Sequence, residues 1–165
     1  MPILDANTLD FISHSPEQTR RIGMRLGALL TPGDIICLQG DLGAGKTTLV
    51  QGLAQGWGSL DPVSSPTFII VNVYRRPDET ELYHLDTYRL ESAPEAAMLD
   101  LDDMLDAGPL VIEWPERIES VLPAERLWLN LRYIEEEKRG IQFKAHGAVY
   151  ETLLEKIRQS AFGGD

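Results

Sequence analysis

Nine residues, from Gly40 to Thr48, constrain this chain more than any other stretch. They read Gly-Asp-Leu-Gly-Ala-Gly-Lys-Thr-Thr and fit the phosphate-loop pattern, a glycine-rich turn that ends in Gly-Lys-Ser/Thr. A β-prone run at 34–39 precedes the loop, and apolar residues follow it at helical spacing: Leu49, Leu53 and Trp57. The sequence therefore predicts a buried strand, the loop, and a helix that Gly56 and Gly58 bring to an end.

The residue types in this loop suit the binding of a triphosphate. Glycines let backbone N–H groups close around phosphate oxygens, and the positive end of the helix dipole favours an anion. Lys46 would reach the β- and γ-phosphates, and the Thr47 hydroxyl would bind Mg²⁺. A glycine-rich turn with a chance lysine is the weaker interpretation, because the strand and the helix are both in place. The expected nucleotide contacts in the loop are Asp41, Gly43, Ala44, Gly45, Lys46, Thr47 and Thr48.

Length and charge limit the remaining possibilities. The 165 residues suit one domain, residues 1–165, with a sizeable core. Fifteen basic against 26 acidic residues give a net charge of −11, which disfavours a chain that grips nucleic acid alone and fits docking to a basic partner. No apolar run approaches the ~20 residues of a membrane span, and no secretory leader begins the chain, so a cytoplasmic protein is expected. Cys37, the single cysteine, is interpreted as a core residue.

The other segments predict an α/β fold with a mixed sheet. A helix begins at Ser15, with Gln18 as its capping partner, and ends at 31–33. Segments 68–74 and 82–88 are β-prone and separated only by a turn, so they should form an antiparallel hairpin. Further strands are predicted at 109–114, 127–133 and 141–145, short helices at 92–106 and 115–122, and a closing helix at 149–157.

Two segments give weaker signals. Residues 1–14 begin with the β-like pair Ile3 and Leu4 and then turn polar. Four aspartates between 100 and 106 resemble a metal cluster, but they lack the glycine and the closing glutamate of a calcium loop. A solvated helix face is the better interpretation there.

Two carboxylates are candidates for the chemistry beside the phosphate loop. Glu113 follows the apolar run 110–112, and Asp86 ends the predicted strand that contains Leu85. Ligands of open α/β sheets bind at the carboxyl ends of the strands, where both acids should lie. The alternative for each is an exposed carboxylate at a strand end, and spacing alone does not assign their roles.

Other polar and aromatic residues near these acids leave alternatives open. Thr67 lies in a loop that could sense Mg²⁺ and the γ-phosphate, or that could be an ordinary turn. His84 is interpreted as a packed or hydrogen-bonded strand residue rather than a base. Trp114 could be core or could flank the nucleotide. Arg89 and Arg117 could stabilise developing charge, but surface ion pairs are favoured.

Four blocks together, residues 40–48, 65–68, 84–90 and 113–117, closely resemble the bacterial TsaE family, formerly YjeE. Members of this family are P-loop ATPases required to make the threonylcarbamoyladenosine modification of tRNA. The resemblance covers the chain from about the helix at Ser15 to the final helix. It implies a compact three-layer P-loop domain with a mixed sheet that carries antiparallel hairpins.

The resemblance also implies roles for individual residues. Lys46 and Thr47 would hold the phosphates of ATP and Mg²⁺, Glu113 would be the metal-linked glutamate, and Asp86 the essential acid. Lys46, Asp86 and Glu113 are thus the implied catalytic set, while Thr67 would belong to a switch-like loop. The implied partners are the threonylcarbamoyltransferase subunit (TsaD-like) and its inactive paralogue (TsaB-like), on which the ATPase would dock, with little direct binding of tRNA and no membrane.

Two other functions compete with this interpretation. A small-molecule P-loop kinase usually needs an arginine-bearing lid, and residues 90–108, where a lid would lie, contain no arginine and several acids. A GTPase switch would need an Asn-Lys-x-Asp stretch to read guanine, which the sequence lacks. We therefore expect an ATPase that is slow alone and faster with its partners.

Overall fold

The computed structural model describes residues 6–41, 43–63, 71–90 and 100–162. These residues form seven strands: β1 (Thr8–Ser13), β2 (Ile35–Gln39), β3 (Val71–Arg75), β4 (Glu81–Asp86), β5 (Leu110–Glu113), β6 (Arg126–Glu135) and β7 (Lys138–His146). They also form four α-helices: α1 (Pro16–Gly27), α2 (Lys46–Trp57), α3 (Leu101–Ala107) and α4 (Ala148–Phe162). Two 3₁₀ turns, Pro115–Arg117 and Glu119–Val121, lie between β5 and β6.

All seven strands belong to one mixed sheet in the order β1-β7-β6-β2-β5-β4-β3. The four central strands, β6, β2, β5 and β4, run parallel to their neighbours in that group. Hairpins extend the sheet on both sides, because β3 pairs antiparallel with β4, and β7 pairs antiparallel with β6 and β1. The predicted α/β fold with a mixed sheet and antiparallel hairpins is confirmed, and the central strands all end at the same edge.

Helices and 3₁₀ turns pack against the sheet. The helices α1 and α2 pack together, and the Ser13 hydroxyl of β1 lies 2.7 Å from the Thr19 hydroxyl of α1. The first 3₁₀ turn contacts β2, and Glu119 of the second pairs with Arg126 of β6 at 3.0 Å. Strand β2 is buried along its apolar length, which explains its uninterrupted apolar run.

The start of α1 follows its sequence signal, while its end comes earlier than expected. The Ser15 hydroxyl accepts a hydrogen bond from the Gln18 N–H at 3.2 Å, and the Gln18 side chain accepts one from the His14 N–H at 2.7 Å. The helix ends at Gly27 rather than near residue 31. The N–H groups of Leu29 and Leu30 bond three residues back, so the chain tightens out of α geometry.

Glycines allow α1 and α2 to approach each other closely. A Cβ atom on Gly27 would lie 1.9 Å from the Leu53 carbonyl oxygen, and one on Gly52 would lie 2.0 Å from that of Arg20. Gly56 belongs to this contact and does not end α2 as expected, because the helix runs to Trp57 and Gly58 caps it with φ of 106°. Backbone contact between these helices therefore fixes the position of α2 and of the loop before it.

Replacement of Gly52 by alanine should strongly destabilise the protein. The three atoms nearest to the new Cβ are all backbone atoms of Arg20, so no side chain can rotate away to relieve the overlap. We expect a loss of about 3 kcal/mol and a fall in Tm of about 6–12 °C by calorimetry. Gln55→Ala on the exposed side of α2 is the control and should change Tm little. A Tm of Gly52→Ala equal to that of the control would contradict the close helix contact.

Two further sequence predictions differ from the structure. Residues 8–13 form an edge strand that the sequence analysis missed, although Leu9 and Phe11 face inward on either side of Asp10. Six residues are a weak local signal, and pairing with the distant β7 makes the strand. Segment 115–122 forms two 3₁₀ turns rather than a helix. Within 92–106 the structure describes residues 100–106, which include all of α3 except Ala107, while 92–99, Ile3, Leu4 and 68–70 lie outside the described residues.

Candidate functional site

The glycine-rich loop connects β2 to α2, as its sequence predicted. Gly43 and Gly45 have φ of 82° and 101°, a left-handed conformation that glycine adopts without strain. The Ala44 N–H bonds the Asp41 carbonyl at 3.0 Å, and α2 begins at Lys46 directly after Gly45. Leu42 lies outside the described residues. The loop thus places the positive end of a three-turn helix at the edge where the parallel strands end.

The Lys46 side chain is buried, although a lysine in a surface loop is expected to be exposed. It is only 6% exposed, and its amine has no hydrogen-bond partner among the described residues. The amine lies 3.8 Å from the centre of the Trp114 ring, a cation–π contact. Burial lowers the pKa of this amine, while the negative charges of Glu113, Glu116, Asp86 and Asp41 oppose that shift. A buried cation without a hydrogen-bonding acceptor, beside a helix N-terminus, fits an anionic ligand.

The two candidate acids lie on neighbouring strands at the same register. Asp86 of β4 is aligned with Glu113 of β5, which is in turn aligned with Leu38 just before the loop. Burial raises the pKa of the Asp86 carboxyl above its ordinary value, and the Glu113 charge adds to the rise. The structure therefore brings Asp86, Glu113 and Lys46 together, although their sequence separations did not require it.

The backbone after β5 turns sharply to place Trp114 beside the loop. Trp114 has φ of 61° and ψ of 47°, a left-handed conformation that costs a non-glycine residue about 1 kcal/mol. The Thr87 hydroxyl bonds the carbonyls of Glu113 and Trp114, and the Thr87 N–H bonds that of Glu113 at 3.1 Å. The Tyr88 ring lies against the indole, tilted by 51°, with the ring centres 4.9 Å apart. These contacts hold the indole under the Lys46 amine.

Arg139 of β7 also contacts the loop, and the sequence analysis missed it. Its Nε donates to the Gly43 carbonyl at 3.2 Å, and its guanidinium lies 4.7 Å from the ring centre of Tyr133. The register of β6 and β7 places these two side chains opposite each other. No local sequence signal could have identified Arg139, because Gly43 lies far away in the chain and the sheet brings them together.

The remaining residues that the sequence singled out differ in their burial and in their contacts. Thr47 and Thr48 are half-buried in the first turn of α2, and Asp41 is exposed. Arg117 lies 5.2 Å from the ring centre of Tyr88. Cys37 is fully buried and its pKa is raised to about 12, chiefly by burial, as suits a core residue. The aspartates of α3 at 102, 103 and 106 are exposed, as predicted, whereas Thr67 lies outside the described residues.

Magnesium would depend on few protein ligands here. Among the described residues no three His, Cys, Asp or Glu side chains converge as a metal-binding group. Mg²⁺ is commonly held by one or two protein side chains together with water and phosphate oxygens. The Thr47 hydroxyl at the start of α2 and the strand-end Glu113 carboxylate suit this kind of site.

Comparison with known proteins gives a consistent result. Residues 13–141 match the family described as "Threonylcarbamoyl adenosine biosynthesis protein TsaE". The chain is 41% identical over 144 residues to the protein of Bacillus subtilis named "tRNA threonylcarbamoyladenosine biosynthesis protein TsaE", covering 87% of this chain and 89% of that one. It is 41% identical over 156 residues to the protein of the same name from Nostoc, covering 92% and 94%.

A solved structure shares the fold. The crystal structure of Bacillus subtilis YdiB matches with a TM-score of 0.78 and 35% identity, over 93% of this chain and 96% of that one. The match extends well beyond the phosphate loop. It therefore includes the sheet edge on which the candidate acids lie.

Proposed function

The chain belongs to the TsaE family, and from this premise we propose that it is an ATP-hydrolysing subunit required for the synthesis of threonylcarbamoyladenosine in tRNA. A single P-loop domain, residues 1–165, would carry the activity, and the cytoplasm is the proposed compartment because tRNA resides there. No described helix is long and apolar enough to cross a membrane.

One observation carries the ATP-binding part of this proposal. The Lys46 amine is buried at the N-terminus of α2 without a hydrogen-bonding acceptor among the described residues. A buried amine in that state is costly, and an anionic phosphate would supply both the missing acceptor and the compensating charge. The turn at Gly43 beside it leaves room for phosphate, since no atom of the described residues that are not its chain neighbours approaches a Cβ on Gly43 within 4 Å.

In this proposal, the two acids at the sheet edge, Asp86 and Glu113, have different roles in hydrolysis. Thr47 and Glu113 would hold Mg²⁺, which when bound would neutralise charge on the β- and γ-phosphates. Asp86 would orient the attacking water and accept its hydrogen bond, since burial raises the pKa of this carboxyl and strengthens it as an acceptor. Trp114 would remain beside Lys46 and lie next to the nucleotide. Thr67 would belong to a loop that senses the γ-phosphate.

Partners are proposed to complete the site. Arg139 is engaged by backbone carbonyls, and Arg117 lies over Tyr88, so neither is placed as a ready charge-stabilising group. The threonylcarbamoyl-transferring subunit and its inactive paralogue would dock on this chain and accelerate hydrolysis. The net charge of −11 fits a protein that serves tRNA modification without holding the tRNA itself.

Reconstitution with purified subunits tests this function. We expect slow ATP turnover by the chain alone with Mg²⁺, and at least about tenfold faster turnover when both partner subunits are added. Formation of threonylcarbamoyladenosine on tRNA should require this chain. Turnover that is fast alone and insensitive to the partners, or modification that proceeds without this chain, would contradict the proposal.

A further inference from the structure

Three polar side chains form a buried row that leads into the candidate site. The Tyr74 hydroxyl of β3 lies 2.8 Å from His84 Nδ1, and His84 Nε2 lies 2.6 Å from the Glu113 carboxylate. His84 is 0% exposed and Glu113 is 4% exposed. The three residues come from adjacent strands, β3, β4 and β5. The row therefore connects an edge hairpin to one of the two acids proposed for the chemistry.

The chemistry of these groups determines the direction of the hydrogen bonds. An ionised carboxylate only accepts, so the bond to Glu113 requires a proton on His84 Nε2. In the neutral ring the other nitrogen, Nδ1, is then an acceptor, and the Tyr74 hydroxyl must donate to it. In the neutral ring Tyr74 thus donates to Nδ1 while His84 donates to Glu113, so both ring nitrogens are held by hydrogen bonds.

This row restrains Glu113 at its side chain, while other bonds restrain its backbone. The Thr87 hydroxyl and N–H both bond the Glu113 carbonyl. A glutamate side chain has three rotatable bonds. An enzyme loses activity when the carboxylate that binds its metal can rotate freely, because the metal ligand is then not held in place. His84 removes this freedom from inside the sheet, where the ring cannot move aside.

We propose that His84 is a positioning residue for the Glu113 carboxylate, and that Tyr74 acts through it by holding the imidazole ring at Nδ1. The inference rests on the proposed function, because it assigns Glu113 a role in ATP hydrolysis. It adds to that function two residues, Tyr74 of β3 and His84 of β4, whose hydrogen bonds make this role of Glu113 possible.

Two substitutions of His84 separate the positioning role from simple packing. In His84→Gln the side-chain amide can take the place of Nε2 and donate to Glu113. In His84→Asn the shorter amide can take the place of Nδ1 and still bond Tyr74, but it cannot reach Glu113. Both remove the ring, so a packing role predicts similar losses from the two.

Steady-state kinetics with saturating Mg²⁺ and both partner subunits measure the difference. We expect His84→Asn to lower kcat by about 10- to 100-fold, with KM for ATP within about threefold of wild type. His84→Gln should retain kcat within about threefold of wild type. Equal losses of kcat in the two variants, or an unchanged kcat in His84→Asn, would overturn the inference.

Nitrogen NMR of the ring gives a readout that does not need turnover. The chain has three histidines, so the ring of His84 can be assigned by its absence in His84→Gln. We expect a proton on Nε2 that exchanges slowly with water, because this atom lies 2.6 Å from the Glu113 carboxylate and the ring is buried. Tyr74→Phe should make this proton exchange faster, because the ring loses its bond at Nδ1. A wild type in which Nε2 carries no proton would overturn the inference. A wild type without ATP turnover that shows this slowly exchanging proton would overturn the proposed function and support the hydrogen-bonded row.

Discussion

Replacement of Lys46 by methionine is expected to weaken ATP binding by about 10- to 100-fold, the loss of one charge-assisted hydrogen bond, and to abolish measurable turnover. Methionine keeps an unbranched side chain of similar length, with sulfur in place of one methylene, and lacks the amine that lies over Trp114. Because this amine has no hydrogen-bonding acceptor among the described residues, the nucleotide-free protein should not lose stability. Titration calorimetry with ATP and thermal unfolding without nucleotide measure the two effects.

An exposed lysine provides the control for this substitution. Lys144 lies on β7 with its side chain in solvent, so Lys144→Met changes the net charge equally. ATP affinity should be unchanged in that variant. A Lys46→Met protein that binds ATP as well as Lys144→Met would remove the main support for a phosphate at this loop. A marked fall in its Tm would show that the amine stabilises the fold instead.

Replacement of Glu113 by glutamine is expected to lower ATP turnover on the order of 100-fold, because it removes the proposed metal-linked charge from the sheet edge. ATP binding should change by no more than about threefold, since the loop and Lys46 remain. The side-chain volume is nearly the same, so packing against His84 should persist. Turnover as a function of Mg²⁺ concentration and ATP binding by calorimetry distinguish the two effects.

Glu116 is the matched control for Glu113. Its side chain is exposed three residues further on, and its charge also acts on Lys46. If Glu113 acted only through the general negative charge of this edge, Glu116→Gln should lower turnover to a similar degree. We expect Glu116→Gln to stay close to wild type. Equal losses in the two variants would contradict a direct role for Glu113.

Local sequence signals predicted those parts of the fold that depend on nearby residues. The Ser15 cap, the strand before the phosphate loop and the helix after it are confirmed, because each depends on residues within a few positions of one another. The hairpin of β3 and β4 follows from two β-prone runs with only a turn between them. β1 was missed, because its partner β7 is more than a hundred residues away.

The candidate site also depends partly on local sequence signals and partly on tertiary contacts. The sequence indicated Lys46, Asp86 and Glu113 by residue type and by position at strand ends, without a reason for them to meet. The parallel pairing of β4, β5 and β2 supplies that reason, since it aligns Asp86 with Glu113 across two strands. Arg139, which contacts the loop from β7, had no local signal at all.

The sequence by itself determined that a phosphate loop joins a buried strand to a helix, because that arrangement depends on glycine conformations and on apolar spacing within about 20 residues. Only the tertiary structure decided that the Lys46 amine is buried over Trp114 and that His84 bonds Glu113. These contacts join residues 29 and 68 positions apart, and their geometry depends on strand order, register and helix packing, which no local pattern encodes.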